Sequence, residues 1–242
     1  ADPYIEVPPF RPNPRIIGSI AVAGNEAFGE LTIPEGTTGI APYAFFRNKG
    51  LKKLYLPQSL RFIGEGAFIG CQNLEEVIFS DNGCRIGARA FEKCTKLKEV
   101  SLCGTCLAKA VFAHCTSLQT AFFSAVPVLG ESLFEGCTAL REFSSDHDHP
   151  VTQINASCFR GCRQLNRIDL SGVQTIAPYA FENCDALETI TVSGNIFLDD
   201  HAFQDCGGLT QIQILGDAAA LSLREYALSG CTALKYITAE NC

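Results

Sequence analysis

The apolar positions of this chain recur in units of 21 to 25 residues, and every unit carries the same pattern. A small or apolar residue and then an aromatic residue or leucine open the pattern, and a further leucine stands six places later. These leucines are Leu51, Leu74, Leu97, Leu118, Leu140, Leu165, Leu187, Leu209 and Leu234. Behind each leucine, variable and apolar residues alternate, as in Leu187-Glu188-Thr189-Ile190-Thr191-Val192. This alternation, with β-branched residues favoured, predicts a short strand after every leucine.

A cysteine stands midway between the aromatic residue and the leucine in every copy except the first, which has Asn48. An isoleucine or leucine also precedes each aromatic residue, and the segment between it and the cysteine suits one helical turn. A unit of this size cannot bury its apolar face alone, but stacked copies share a continuous core. We therefore predict a mostly β, α/β-like right-handed leucine-rich-repeat solenoid. Parallel strands would form its concave face, short helical turns its return stretch, and stacked phenylalanine rings its interior.

The unit Ile-Gly-x-x-Ala-Phe-x-x-Cys-x-x-Leu-x-x-Val-x-Leu resembles the BspA-type leucine-rich repeats of surface and secreted proteins from anaerobic bacteria and some parasitic protists. The resemblance runs from about Leu31 to Ala239. It implies recognition or adhesion at a cell surface and supplies no catalytic residues. We expect a proline-rich N-terminal segment or cap at residues 1–30 and about nine repeats over residues 31–242.

Composition removes several classes of function. A hydrophobic content of 47% and a charged content of 19% indicate a folded chain. With a net charge of −7, the chain lacks the excess of basic residues that is typical of a nucleic-acid binder. Since no apolar run approaches the ~18–20 residues that span a bilayer, membrane insertion is not expected. With the resemblance, this favours an extracellular or cell-surface location.

The sequence contains no motif typical of an enzyme, so we expect neither catalysis nor a cofactor. Asp146-His147-Asp148-His149 is the only cluster of metal-ligand types. His147 and His149 could share a metal on an extended loop, although a solvated polar loop explains the cluster as well, and no metal site is assigned. Asn155 begins the one N-glycosylation sequon and could carry sugar in a eukaryotic secretory host.

Thirteen cysteines suggest disulfides, but eight occupy the repeat position between two inward-facing side chains. We expect these eight to be buried, reduced and inert. The others are Cys84, Cys103, Cys106, Cys158 and Cys242. A bridge from Cys84 to Cys106, or to Cys103, is the preferred covalent hypothesis because neighbouring coils would bring them close.

In such a solenoid, function depends on the outward strand positions, two and four residues after each leucine. The candidate partner-binding residues there are Tyr55, Glu76, Glu99, Phe122, Glu142 and Tyr236. The aromatic side chains are frequent anchors of protein interfaces, although packing against neighbouring strands would explain them equally. The glutamates form an acidic strip suited to a protein partner with a basic patch. We predict a non-catalytic recognition or adhesion module, and alternatively a spacer or stalk that presents other regions of a longer protein.

Overall fold

The computed structural model describes residues 15–17, 19–23, 29–80, 83–216 and 220–240. Within them the chain winds into a parallel-strand β-solenoid of about nine turns, which confirms the predicted fold. Each turn contributes a strand after its repeat leucine and a shorter strand on the opposite side. One hydrophobic core lies between the two rows of strands and runs from Ala21 to Ala227.

The first row holds the strands that the sequence predicted after the repeat leucines. They are β3 (Gly29–Thr32), β5 (Leu51–Tyr55), β7 (Glu76–Ile78), β9 (Glu99–Cys103), β11 (Thr120–Ser124), β13 (Glu142–Ser145), β15 (Arg167–Ile168), β17 (Thr189–Ser193), β19 (Gln211–Leu215) and β21 (Tyr236–Glu240). Their ladder is divided into the sheets β3-β5-β7, β9-β11-β13-β15 and β17-β19-β21. We call the outer side of this row the strand face.

The second row was not predicted, since nearly all its strands have only two or three residues, which are too few to show alternation. It holds β1 (Arg15–Ile17), β2 (Ile20–Ala23), β4 (Gly39–Ile40), β6 (Phe62–Ile63), β8 (Arg85–Ile86), β10 (Cys106–Leu107), β12 (Val128–Leu129), β14 (Gln153–Ile154), β16 (Thr175–Ile176), β18 (Ile196–Leu198) and β20 (Leu221–Leu223). Pairing in both rows is parallel except between β1 and β2. Because β2 pairs with β4 and β3 with β5, both ladders already include strands from the proposed N-terminal cap.

A column of stacked phenylalanine rings fills the core. Neighbouring ring centroids lie between 4.7 and 5.8 Å apart. The column consists of Phe45, Phe68, Phe91, Phe112, Phe134, Phe159, Phe181 and Phe203, all completely buried. The predicted interior position of these rings is confirmed. Close-packed rings in successive coils fix the stacking distance of the repeats.

The return stretch contains successive tight turns in place of the predicted helical turns, and no described residue is helical. In the first repeat, the Ala44 amide donates to the Ala41 carbonyl at 3.3 Å, and the next amide, of Phe45, donates to Ala67 of the following coil at 2.7 Å. Amides therefore bond alternately within the turn and between coils. The return stretch is not helical because two residues four places apart in each repeat, such as Tyr43 and Arg47, have positive φ.

The eight repeat cysteines form a second column beside the rings, and all are free thiols. Seven of them are buried as expected, whereas Cys231 is only partly buried. Each Sγ donates to the carbonyl of a phenylalanine in the preceding coil, at 3.0 to 3.3 Å, as Cys71 does to Phe45. Burial raises the pKa of Cys71 and Cys115 to about 12. These contacts explain why a small thiol recurs here, since it fills core volume and also pairs a buried carbonyl.

The predicted bridge from Cys84 is wrong for this structure. Cys84, Cys103 and Cys106 are all free thiols. The β8–β10 register places Cys106 opposite Arg85, so Cys84 lies one position out of register with it. Cys158 is buried in the core, and Cys242 lies outside the described residues.

Candidate functional site

A groove of about 570 Å³ runs along β9 on the strand face. Its floor is formed by the small side chains of Ser101 and Cys103, whose β11 partners in the register are Phe122 and Ser124. Phe122, opposite Ser101 in the β9–β11 register, forms one wall and is 44% exposed. Ile78 on β7 lines the other side. The groove therefore arises because the short side chain of Ser101 on β9 lies beside the bulky ring of Phe122 on β11.

The groove spans an interruption in the strand ladder, which we call the seam. β7 and β9 belong to different sheets, and the Lys98 amide reaches the Glu75 carbonyl at 3.4 Å just before the two strands separate. Beyond that bond, the inward side chains of Phe79 and Leu102 also line the groove. Phe79 is only half-buried, with its ring edge-on to Phe91 at 5.7 Å. This seam gives a bound side chain access to apolar surface below the strand face.

Charge in the groove is concentrated on Glu99. Lys53 forms an ion pair with Glu76 at 2.8 Å, and that hydrogen bond raises the pKa of Lys53. Arg167 lies 3.7 Å from Glu142. Among the described residues, Glu99 alone of the three predicted glutamates has no ion-pair partner. The acidic strip therefore consists of two ion-paired carboxylates on either side of an exposed one that has no ion-pair partner among the described residues.

The structure brings three of the six predicted partner-binding residues together, since Glu76, Glu99 and Phe122 all line the groove. Tyr55 lies one strand away, half-buried, with Lys53 Nζ at 5.3 Å from its ring centroid. Glu142 lies on the strand beyond β11. Tyr236, 61% exposed, is on β21, in a different sheet from the groove strands.

Sequence reasoning missed Ser101, Cys103 and Ile78, which shape the groove. The signal was available in the outward column four residues after each leucine, where Ile78, Ser101 and Phe122 follow one another. A small residue between two large ones in adjacent parallel strands leaves a depression, because neighbouring strands lie only ~4.8 Å apart.

The histidine-containing loop does not bring its ligand-type side chains to one point. His149 Nδ1 lies 3.5 Å from Asp146, whereas His147 Nδ1 lies 3.9 Å from Asp169. No group of three or more metal-ligating side chains occurs in the described residues. Asn155 is partly exposed and accepts a hydrogen bond from Gln153 at 2.7 Å, and its glycosylation stays a prediction. No helix among the described residues has the length and apolarity needed to cross a membrane.

Comparison with known proteins identifies the repeats. The profile of the BspA type leucine rich repeat region matches residues 15–141 and 129–241, with six copies. A leucine-rich repeat protein from Bacteroides ovatus aligns over 89% of this chain with 24% identity and a TM-score of 0.62, a likeness in fold. This chain covers 65% of that protein's length.

Two further solved structures are more distant. A leucine rich cell surface protein from Faecalibacterium prausnitzii is 18% identical, with 88% of each chain covered and a TM-score of 0.49. The pneumococcal vaccine antigen PcpA is 16% identical, with a TM-score of 0.47, over 91% of this chain and 73% of PcpA. A search of curated proteins gave no match.

Proposed function

The chain belongs to the BspA-type leucine-rich-repeat family, and we propose that it is a non-catalytic protein-binding module of a cell-surface or secreted protein. The groove along β9 is the proposed binding site. The observation that carries this proposal is the exposed ring of Phe122 beside Glu99, which has no ion-pair partner among the described residues. The family resemblance supports the location and the absence of catalysis.

The groove suits a partner segment that carries a lysine or arginine next to an apolar side chain. Glu99 would attract the cation, and the face of Phe122 would stabilise it further by a cation–π contact worth about 0.5–1 kcal/mol at an exposed site. The apolar neighbour would enter the seam towards Phe79 and Leu102. A buried aromatic anchor with one complementary charge is a common form of interface hot spot.

The alternative role, a spacer or stalk, is favoured by the single continuous core, which makes the repeats one rigid body. The two roles differ in what the outward residues do. A spacer tolerates any conservative change on the strand face, whereas a binding module loses affinity when Phe122 or Glu99 is replaced.

Selection of a displayed random-peptide library on the immobilised protein tests the proposal without a known partner. We expect enriched peptides to carry a basic residue next to an aromatic or aliphatic one. Phe122→Ala should weaken a selected peptide by about 2 kcal/mol, roughly thirtyfold. Glu99→Gln should slow association and reduce its dependence on salt. Bound peptide should also protect the thiol of Cys103 from alkylation.

Tyr236→Ala is the matched control, because it removes an aromatic ring that is more exposed than Phe122 from a strand outside the groove. Selected peptides that bind Phe122→Ala and Glu99→Gln as well as the unaltered protein would place the site elsewhere. Failure to enrich any peptide would favour the spacer.

A further inference from the structure

Six exposed cations lie along one edge of the solenoid. The edge is the short turn that leads into each first-row strand, from two residues before the repeat leucine to one residue after it. Over the repeats of Leu51 to Leu165, its only carboxylate is Glu75. The exposed cations, which we call the basic edge, are Lys49, Lys52, Lys96, Lys98, Arg141 and Arg163.

Backbone hydrogen bonds hold this edge in a continuous column. The Glu75 amide donates to Lys52 at 2.8 Å, and the Gln119 amide donates to Lys98 at 2.7 Å. Arg141 continues the column with an amide bond of 2.9 Å to Gln119. Because successive coils are ~4.8 Å apart, the basic edge extends roughly 24 Å along the solenoid.

The charge of the basic edge is largely unneutralised. Only Lys98 has a carboxylate within ion-pair distance in the described part of the chain, Glu75 at 3.7 Å, and both side chains are well exposed. Such surface pairs contribute little. The next column on the strand face is mixed. Glu76 and Glu142 are paired with Lys53 and Arg167, and Glu99 has no ion-pair partner among the described residues. On the other side, Arg47 is exposed, whereas Lys93 forms an ion pair with Glu92 at 3.2 Å.

We propose that the basic edge binds a linear anionic polysaccharide, carboxylated or sulfated, that lies along the coils. The positions between the cations support this class, because they carry uncharged hydroxyl and amide side chains that can pair with sugar hydroxyls. Examples are Asn73, Thr95, Ser117 and Gln164. The edge has no aromatic residue on which bases could stack. This inference does not depend on the groove.

Two polyanions serve as probes, heparin for sulfate and polygalacturonate for carboxylate, with neutral dextran as the blank. The test variant is Lys52→Gln/Lys96→Gln/Arg141→Gln. The matched control is Arg61→Gln/Arg85→Gln/Lys109→Gln, which removes the same charge from exposed sites off the edge. We expect at least one probe to bind at low salt and the edge variant to lose on the order of tenfold in affinity. The slope of log affinity against log salt should fall by about one for each contacting cation removed.

Binding of heparin alone would identify sulfate as the recognised group, and binding of polygalacturonate would identify carboxylate. Circular dichroism confirms that each variant is folded before binding is compared. Absence of binding to both polyanions at low salt overturns the proposal. Equal losses in the edge and control variants also overturn it, as does tighter binding of a single-stranded oligonucleotide or of polyglutamate.

Discussion

At the scale of single residues, the return stretches place many ordinary side chains in a backbone region that L-amino acids avoid. Each of the nine repeats has two positive-φ positions, and glycine occupies only five of these places. A non-glycine residue there costs roughly 1–2 kcal/mol. The coils nevertheless hold this conformation, because the amides of Tyr43 and Arg47 bond to the next coil at 2.9 and 2.8 Å. Contacts between coils thus stabilise a turn that a single unit would not adopt.

Ala110→Gly should therefore stabilise the protein. Ala110 has a φ of 58°, and glycine removes the clash of its Cβ with the backbone. Allowing for the greater entropy of glycine in the unfolded chain, we expect a gain of about 0.5–1 kcal/mol, measured by urea unfolding. Ala108→Gly in the same repeat is the control, since Ala108 does not have positive φ and should lose stability. Equal effects at both positions would show that the turn carries no strain.

At the scale of the elements, the cysteine column links stability to pH. Burial raises the pKa of Cys71 and Cys115 from an ordinary 9.0 to about 12. It also raises the pKa of Cys94, Cys137 and Cys162 well above that value. The unfolded chain therefore releases thiol protons above pH 9, whereas the folded chain keeps them. Stabilisation from each thiol is complete below pH 9 and is lost as the pH rises towards 12.

We expect the free energy of unfolding to fall steeply above pH 9, by up to about 1.4 kcal/mol per pH unit for each buried thiol. Cys115→Ala should reduce that slope by one thiol's contribution, whatever it does to stability at neutral pH. Ser101→Ala, at an exposed position outside the column, removes no thiol and should leave the slope unchanged. Urea unfolding at several pH values measures the slopes. A slope that is the same in both variants would contradict the link between burial and ionisation.

How far the elements could be predicted depends on whether their residues repeat. The first-row strands and the ring column follow from spacing alone, because Phe134 and Leu140 have counterparts in other repeats. The second row escaped prediction, since a strand such as Phe62–Ile63 is held by its neighbours in the ladder and has no alternation of its own. The groove depends on differences between adjacent repeats, above all Ser101 beside Phe122. The ion pair between Glu76 and Lys53 could not be predicted, because it depends on the register of β5 and β7, which composition does not provide.

At the scale of the whole molecule, every described coil contacts mainly the coils next to it. Strands pair with the equivalent strand of the neighbouring turn, and rings stack on the ring of the neighbouring turn. In such a structure, stability is approximately a sum over repeats and the interfaces between them. The molecule should therefore tolerate loss of a complete coil but not of a fraction of one.

Deletion of residues 182–203 tests this property, because it joins Phe181 to Gln204 and removes one 22-residue unit in phase. Cys206 would then take the place of Cys184 and donate to Phe159, as Cys184 does at 3.2 Å. We expect a folded protein whose urea m-value is lower by about a tenth, since m scales with the surface exposed on unfolding. Peptide binding in the groove along β9 should be unchanged. The control deletes residues 182–192, half a unit, which would bring a strand segment to a turn position and should prevent folding. If the half-unit variant unfolds as cooperatively as the full-unit variant, the repeats are not the independent stacking units that the ring and cysteine columns indicate.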